Sequence, residues 1–286
     1  MRLISLALLL LTLNACSLNQ MLVRASTPLI EGGITALNRE TDLDLAEDSI
    51  PTNIELLEGM IQLDPNNAKL HTYAAQAYYG LAFGFNEDHR PERASAFYIR
   101  GLNHGIIALE LNGARDLKTV AMADYDQQLS QMDEADVPAM FWTASNWGKW
   151  IDLHRDSTAS LAQLPRPTAL MQRVIELQED FYFGGAHMYF GVYYGSRAPV
   201  LGGNYKKSRQ HFDKARAITD NKLLMPDLLQ AQYLARQQLD YEDFEKRLTG
   251  VVNAPDDLYP EAALINQIAK RKAMLLLQTR KASEWF

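Results

Sequence analysis

The sequence predicts an all-α protein built as an array of antiparallel helical hairpins, and three observations carry that expectation. Ser208, Phe212 and Ala215 stand at steps of four and three, which places them on one face of a helix. Ala94, Tyr98 and Gly101 repeat the same small, aromatic, small spacing. Small residues let a second helix come close and the aromatic fills the groove between, which is how tetratricopeptide-like hairpins stack. Finally, no segment shows sustained strand alternation between turn signals. The expected architecture is an irregular superhelix whose repeats have diverged too far to keep a regular period of about 34 residues.

A chain of 286 residues with 47% hydrophobic content is long and apolar enough for a substantial core, so disorder is not expected. The formal charge of −7, with no basic patch, argues against nucleic acid as a partner.

Cys16 is the only cysteine, and it follows Met1-Arg2 and the apolar run Leu3 to Leu13. That run is far short of the ~20 residues that span a bilayer, and its charged start and apolar middle are those of a secretory signal. Leu13-Asn14-Ala15-Cys16 resembles a bacterial lipobox, which makes residues 1–15 a signal peptide and Cys16 the acylated N-terminus of the mature chain. Several acyl chains, palmitate among them, would anchor the protein stably where one would hold it only marginally. By analogy with lipoprotein sorting, Ser17 in place of Asp directs it to the outer membrane. A lone cysteine also excludes an intrachain disulfide.

Residues 16–40 read as a lipid-anchored tether with partial helix: Met21, Leu22, Leu29 and Leu37 favour a helix, while Pro28 and Gly32-Gly33 are expected to break or kink it. Residues 41–286 form the helical domain. The acidic stretch Thr41 to Asp48 is expected to be a solvated helix, with Ser49 or Thr52 capping the next one and Pro51 in its first turn. The stripe Ile54, Leu57, Met60 and Ile61 ends at Asp64-Pro65-Asn66-Asn67, a turn suited to a junction between repeats.

Leu70, Tyr73, Ala74, Ala77, Tyr78 and Leu81 mark the next buried face, and Arg90-Pro91-Glu92 opens the return helix. Asp116 to Met132 reads as a more polar helix. Met140 to Trp150 is the most aromatic segment, and Leu164-Pro165-Arg166-Pro167 precedes a helix over Ala169 to Glu179. Gly184 to Tyr194 is apolar nearly all round and is therefore expected to be buried. Pro199 and Gly202-Gly203 separate it from the helix carrying Phe212. Leu228 to Gln238, Tyr241 to Val252 and Leu258 to Thr279 supply three more helices, with prolines near their starts.

Catalytic and metal motifs are not evident. The six histidines nowhere take His-Glu-x-x-His spacing, and Gly202 to Ser208 lacks the first glycine of a phosphate loop. No Gly-x-Ser-x-Gly elbow is present, and the one thiol is committed to the anchor. Asp124, Asp126, Asp133 and Glu134 lie in polar stretches that suit a solvated face. No enzyme, cofactor or metal site is expected. The unusual feature is aromatic density, from which Tyr78, Trp142, Trp147, Tyr182, Tyr189 and Tyr193 are the candidates to line a ligand cavity.

Several segments together resemble a known family, the T component associated with tripartite ATP-independent periplasmic (TRAP) transporters, called TatT. They are Thr41 to Ala46, Leu56 to Met60 leading to Asp64-Pro65-Asn66, Ala74 to Phe85, Pro138 to Trp142, Ala169 to Arg173, Gly184 to His187 with Gly191, and Leu201 to Gly203. The resemblance implies a periplasm-facing lipoprotein of tetratricopeptide-like helices that can form a homotrimer. It also implies an apolar channel or cavity and work beside a periplasmic solute-binding protein, passing or holding a small hydrophobic or organic-acid ligand. The alternative is an interaction scaffold in envelope assembly, which needs only the repeats and the anchor and predicts a polar, Asn-rich groove.

Overall fold

The computed structural model describes residues 18–278, and every regular element within them is helical. The expected signal peptide and lipobox, with Cys16, lie outside the described residues. Residues 18–25 form α1, followed by α2 (Thr27–Asn38), α3 (Leu43–Leu63), α4 (Ala68–Phe85), α5 (Pro91–Leu111), α6 (Met122–Ser130), α7 (Val137–Leu153), the single turn α8 (Thr158–Leu161), α9 (Pro165–Gln178), α10 (Phe181–Gly195), α11 (Tyr205–Ile218), α12 (Met225–Leu229), α13 (Tyr241–Asn253) and α14 (Ala263–Gln278).

Helix starts follow local chemistry. The side chains of Asp42, Asn67, Asn204 and Asp240 accept backbone N–H groups at the starts of α3, α4, α11 and α13. Proline occupies the first turn of α2, α5, α7, α9 and α12, where its missing N–H costs nothing.

Two hairpins show how the spacing in the sequence works. In the α4–α5 pair, Ala94 and Tyr98 are fully buried and pack on Ala82, while His71 meets His104 at the other end, so the helices run antiparallel. In the α10–α11 pair, Ser208, Phe212 and Ala215 are fully buried. Ser208 Oγ donates to the Gly191 carbonyl at 2.7 Å and Phe212 lies on Gly191 itself. The small residues admit the neighbouring backbone, as the packing argument requires.

The structure differs from the sequence reading at several elements. One continuous helix, α3, replaces the expected pair, with Pro51 in its interior. A helical proline costs about 3 kcal/mol, but Ile50, Ile54, Leu57 and Ile61 are all buried, each contributing about 1.5–3 kcal/mol. Burial wins. The polar helix begins at Met122, not Asp116, because Asp116 holds a left-handed φ of 53° in the preceding turn. Beyond α12 the chain passes directly into a π-helical turn, Gln230–Ala235.

Pro28 starts α2 instead of breaking it, and Gly32 and Gly33 sit inside that helix. The two N-terminal helices pack onto the rest of the protein. Val23 is buried with Leu57, Ile61, Leu70 and Ala74, Arg24 pairs with Asp64 at 2.9 Å, and Glu31 accepts from Lys69 at 2.7 Å and Tyr73 at 2.8 Å.

At the other end α14 folds back onto α3 and α4. Ile268 touches Gly84, Arg271 donates to the Gly84 carbonyl, and Lys272 pairs with Asp88 at 2.7 Å. Helices from both ends of the chain therefore close around a shared interior.

Candidate functional site

The interior is not solid. A cavity of about 1150 Å³ is walled by α1 to α4, α7, α10, α12, the π-helical turn after it and α14, with Leu161, Met171 and Arg197 between them. Along α4 its lining runs from Tyr73 to Phe85, and along α7 from Phe141 to Asp152. At 1.5 Å rise per residue these stretches imply a length of roughly 20 Å. Leu29, Leu56 and Leu201 line it while remaining largely exposed, so the cavity opens to solvent.

The aromatic helices supply much of the wall. Trp142, Tyr182, Tyr189 and Tyr193 all face the cavity. Trp142 and Tyr182 meet edge to face at 4.6 Å, and Tyr189 stacks with Tyr193 at 6.3 Å between centroids. Desolvation raises the pKa of the Tyr182 and Tyr189 phenols well above the usual range, so both stay neutral donors. Tyr189 also exchanges a hydrogen bond with Thr168 at 3.0 Å.

Tyr78 and Trp147 are placed elsewhere. Tyr78 is buried between α4 and α5, where its hydroxyl donates to Glu58 at 2.7 Å and its ring stacks on His104. Trp147 is buried with its indole N–H donating to Gln163 at 2.9 Å. Neither lines the cavity. Residues one step round the helix do so instead: Tyr79 next to Tyr78, and Gly148 next to Trp147.

The all-round apolarity of α10 has a corresponding explanation. Its small face, Gly191 and Gly195, meets neighbouring helices, while Gly185, Met188, Tyr189, Val192 and Tyr193 line the cavity. One side is core and the other is wall.

The helix starts with three consecutive left-handed residues, Tyr182 (φ 46°), Phe183 (φ 60°) and Gly184 (φ 73°). Left-handed conformations cost a side-chain-bearing residue about 1–2 kcal/mol. Here they aim Tyr182 and Phe183 between the main cavity and a smaller one of about 390 Å³ bounded also by Asn38, Ile218 and Tyr259. Phe183 is held there by Tyr259, edge to face at 5.6 Å.

Polar groups interrupt the wall in a few places. Lys149, Asp152 and Tyr233 form a joined cluster with Glu87: the ammonium donates to Glu87 at 2.7 Å, Asp152 at 3.1 Å and Tyr233 at 3.2 Å, and Tyr233 donates to Asp152 at 2.8 Å. Arg155 also pairs with Asp152. Burial alone would lower the Lys149 pKa, but the adjacent Glu87, Tyr233 and Asp152 hold it well above its usual value. Burial alone would likewise raise Asp152, and Lys149 and Arg155 bring it down to about 2. A second polar feature, Arg197, lies beside Tyr193.

Lys149 and Asp152 could have been noticed as an i, i+3 pair inside the most aromatic helix. Tyr233 had no such signal, since only the folded chain brings it to α7.

Four histidines form two pairs away from the wall, His71 with His104 and His187 with His211, each with Nδ1 atoms 2.9 Å apart. Among the described residues no group of three His, Cys, Asp or Glu is placed to hold a metal ion. Nor is any helix there long and apolar enough to cross a membrane.

A family model described as TRAP transporter T-component matches residues 39–286, which is most of the chain. The chain belongs to that family. The T component is therefore a transporter-associated protein, and its family is not an enzyme class. No curated protein matches this T component. The match starts at residue 39, so α1 and α2, which contribute Leu22, Leu29 and Ile30 to the cavity wall, precede the matched region.

Proposed function

We propose that this T component is a periplasm-facing accessory lipoprotein of a TRAP-type uptake system. It holds or passes a small hydrophobic or organic-acid ligand and docks a periplasmic solute-binding protein. The single observation that carries the reading is the cavity of about 1150 Å³ walled by Trp142, Tyr182, Tyr189 and Tyr193. Its volume exceeds the roughly 300–1,000 Å³ usual for small-molecule sites, and its few polar groups amid apolar wall are what such sites use to orient a ligand. An interaction scaffold would instead present a polar groove that grips peptide backbone.

The anchor is acylated Cys16, holding the protein to the outer membrane. A homotrimer is part of the same proposal.

The test is mass spectrometry of small molecules released from the purified protein, combined with pull-down from periplasm. Recovery of an apolar or acidic small molecule and of a solute-binding protein is the expected result. An empty cavity under native conditions together with no retained solute-binding protein would overturn the reading.

A further inference from the structure

Arg197 differs from the other ionised residues on the cavity wall. Lys149, Asp152 and Arg155 neutralise one another, with Glu87 behind them. Arg197 also lines the cavity, yet among the described residues no carboxylate lies within 4 Å of it. Its guanidinium carbon stacks over the Tyr193 ring at 4.1 Å, and its Nε and Nη2 donate to the Tyr193 carbonyl at 3.3 and 2.9 Å. Its charge also acts on the phenol of Tyr189, one turn earlier on the same wall.

These contacts fix the group without exhausting it. A guanidinium has five N–H donors. Two are spent on the Tyr193 carbonyl, which leaves both hydrogens of Nη1 and one of Nη2. That end of the fork is the edge that can hold two oxygens of one anionic head. A cation with no carboxylate partner among the described residues, at the edge of an apolar cavity and over an aromatic ring, suits a ligand that carries one negative charge on an otherwise apolar body.

We propose that Arg197 reads the head of the ligand: the cavity takes a single-headed anionic amphiphile, with its carboxylate on Arg197 and its hydrocarbon body along the wall of Tyr189, Tyr193 and Trp142. The inference rests on the cavity being a ligand site and adds which chemistry it selects. One guanidinium with no carboxylate neighbour among the described residues balances one charge, which favours a carboxylate over a phosphate monoester.

A plain structural role for Arg197 is also defined. It donates to a carbonyl in the last turn of α10, where an arginine stabilises a helix end without any ligand. The two roles separate by experiment. Arg197→Gln keeps a donor for the Tyr193 carbonyl and loses the charge, and Arg197→Lys keeps the charge and loses the fork.

Isothermal titration of the purified protein at pH 8 with dodecanoate, dodecanol and dodecyl phosphate gives the readout, and circular dichroism checks that each variant folds. The wild type is expected to bind dodecanoate about tenfold or more tightly than dodecanol, the scale of one charge-assisted contact. Arg197→Gln should lose that preference, and Arg197→Lys should keep part of it. Equal binding of dodecanoate and dodecanol by the wild type, or a preference that survives in Arg197→Gln, overturns the role of Arg197. Tighter binding of dodecyl phosphate than of dodecanoate overturns the carboxylate assignment. Failure of all three probes to bind the wild type instead sinks the cavity as a site for such ligands, and the inference goes with it.

Discussion

Phe212 presses its ring edge onto the backbone of Gly191, so closely that a Cβ at position 191 would stand 2.6 Å from Phe212 Cε1. The contact is the joint of the α10–α11 hairpin, and α10 in turn presents Tyr189 and Tyr193 to the cavity. Gly191→Ala should therefore destabilise the protein by about 1–3 kcal/mol, the usual range for overpacking. Gly250 provides the control, since it lies in α13 with nothing within 4 Å of its Cβ position. Gly250→Ala should be neutral or stabilising by up to about 1 kcal/mol through helix propensity. Urea unfolding midpoints for the two variants check the contrast, and equal losses would refute this packing argument.

Lys149 is the hub of the paired cluster at the cavity wall. Its side chain is 15% exposed and those of Glu87 and Asp152 are 10% and 20% exposed, so the pairs are little screened. Removing one partner from a buried pair costs about 3–5 kcal/mol, because the remaining charge is left uncompensated. Lys149→Met should fall near that range in chemical denaturation. The double change Lys149→Met with Asp152→Asn should recover part of the loss, and a double variant worse than the sum of the singles would contradict the account.

The hairpin faces were legible because they depend on local spacing. Ser208, Phe212 and Ala215, like Ala94, Tyr98 and Gly101, are inward-facing whatever the rest of the chain does. The cavity wall was legible only by residue type. Tyr78 and Tyr79 are adjacent and chemically alike, and about 100° of helix rotation sends one against His104 and the other toward the cavity. The choice between them depends on where α5 and α7 pack, which is tertiary information. The continuity of α3 through Pro51 was hidden for a similar reason, since the four buried residues that outweigh the proline find their partners on other helices.

Acid should destabilise the protein before its carboxylates titrate. Burial, with His187 and two lysines nearby, lowers the His211 pKa to about 4. His187, which faces Glu179 and Lys214, is lowered chiefly by burial as well. In the unfolded chain both return to about 6.5. Between those values the unfolded state binds more protons, so stability is fully present above about pH 6.5 and is lost as pH falls toward 4. His211→Phe keeps a ring against Phe190 and Tyr194 and removes one titrating site. Urea midpoints measured from pH 7.5 to 4.5 should fall for the wild type and fall less for the variant. A wild-type midpoint that does not move over that range would refute this assignment.

The left-handed turn at the head of α10 sets two opposing terms for Phe183. Its φ of 60° costs about 1–2 kcal/mol, and its half-buried phenyl contributes less than the about 1.5–3 kcal/mol of full burial. Phe183→Gly removes both, so its net effect on stability should stay within about 2 kcal/mol. Its effect on the cavity should be larger, because Phe183 borders both the main cavity and the smaller one beside Tyr259. Stopped-flow exchange of a bound fluorescent naphthylamine should speed up several-fold in Phe183→Gly. Gly184→Ala acts on the same turn differently: it keeps the ring, places a Cβ at a φ of 73° and brings it 2.8 Å from Ile218 Cδ1. That variant should lose about 1–3 kcal/mol of stability. Exchange as slow in Phe183→Gly as in the wild type would show that the ring does not limit passage between the two spaces.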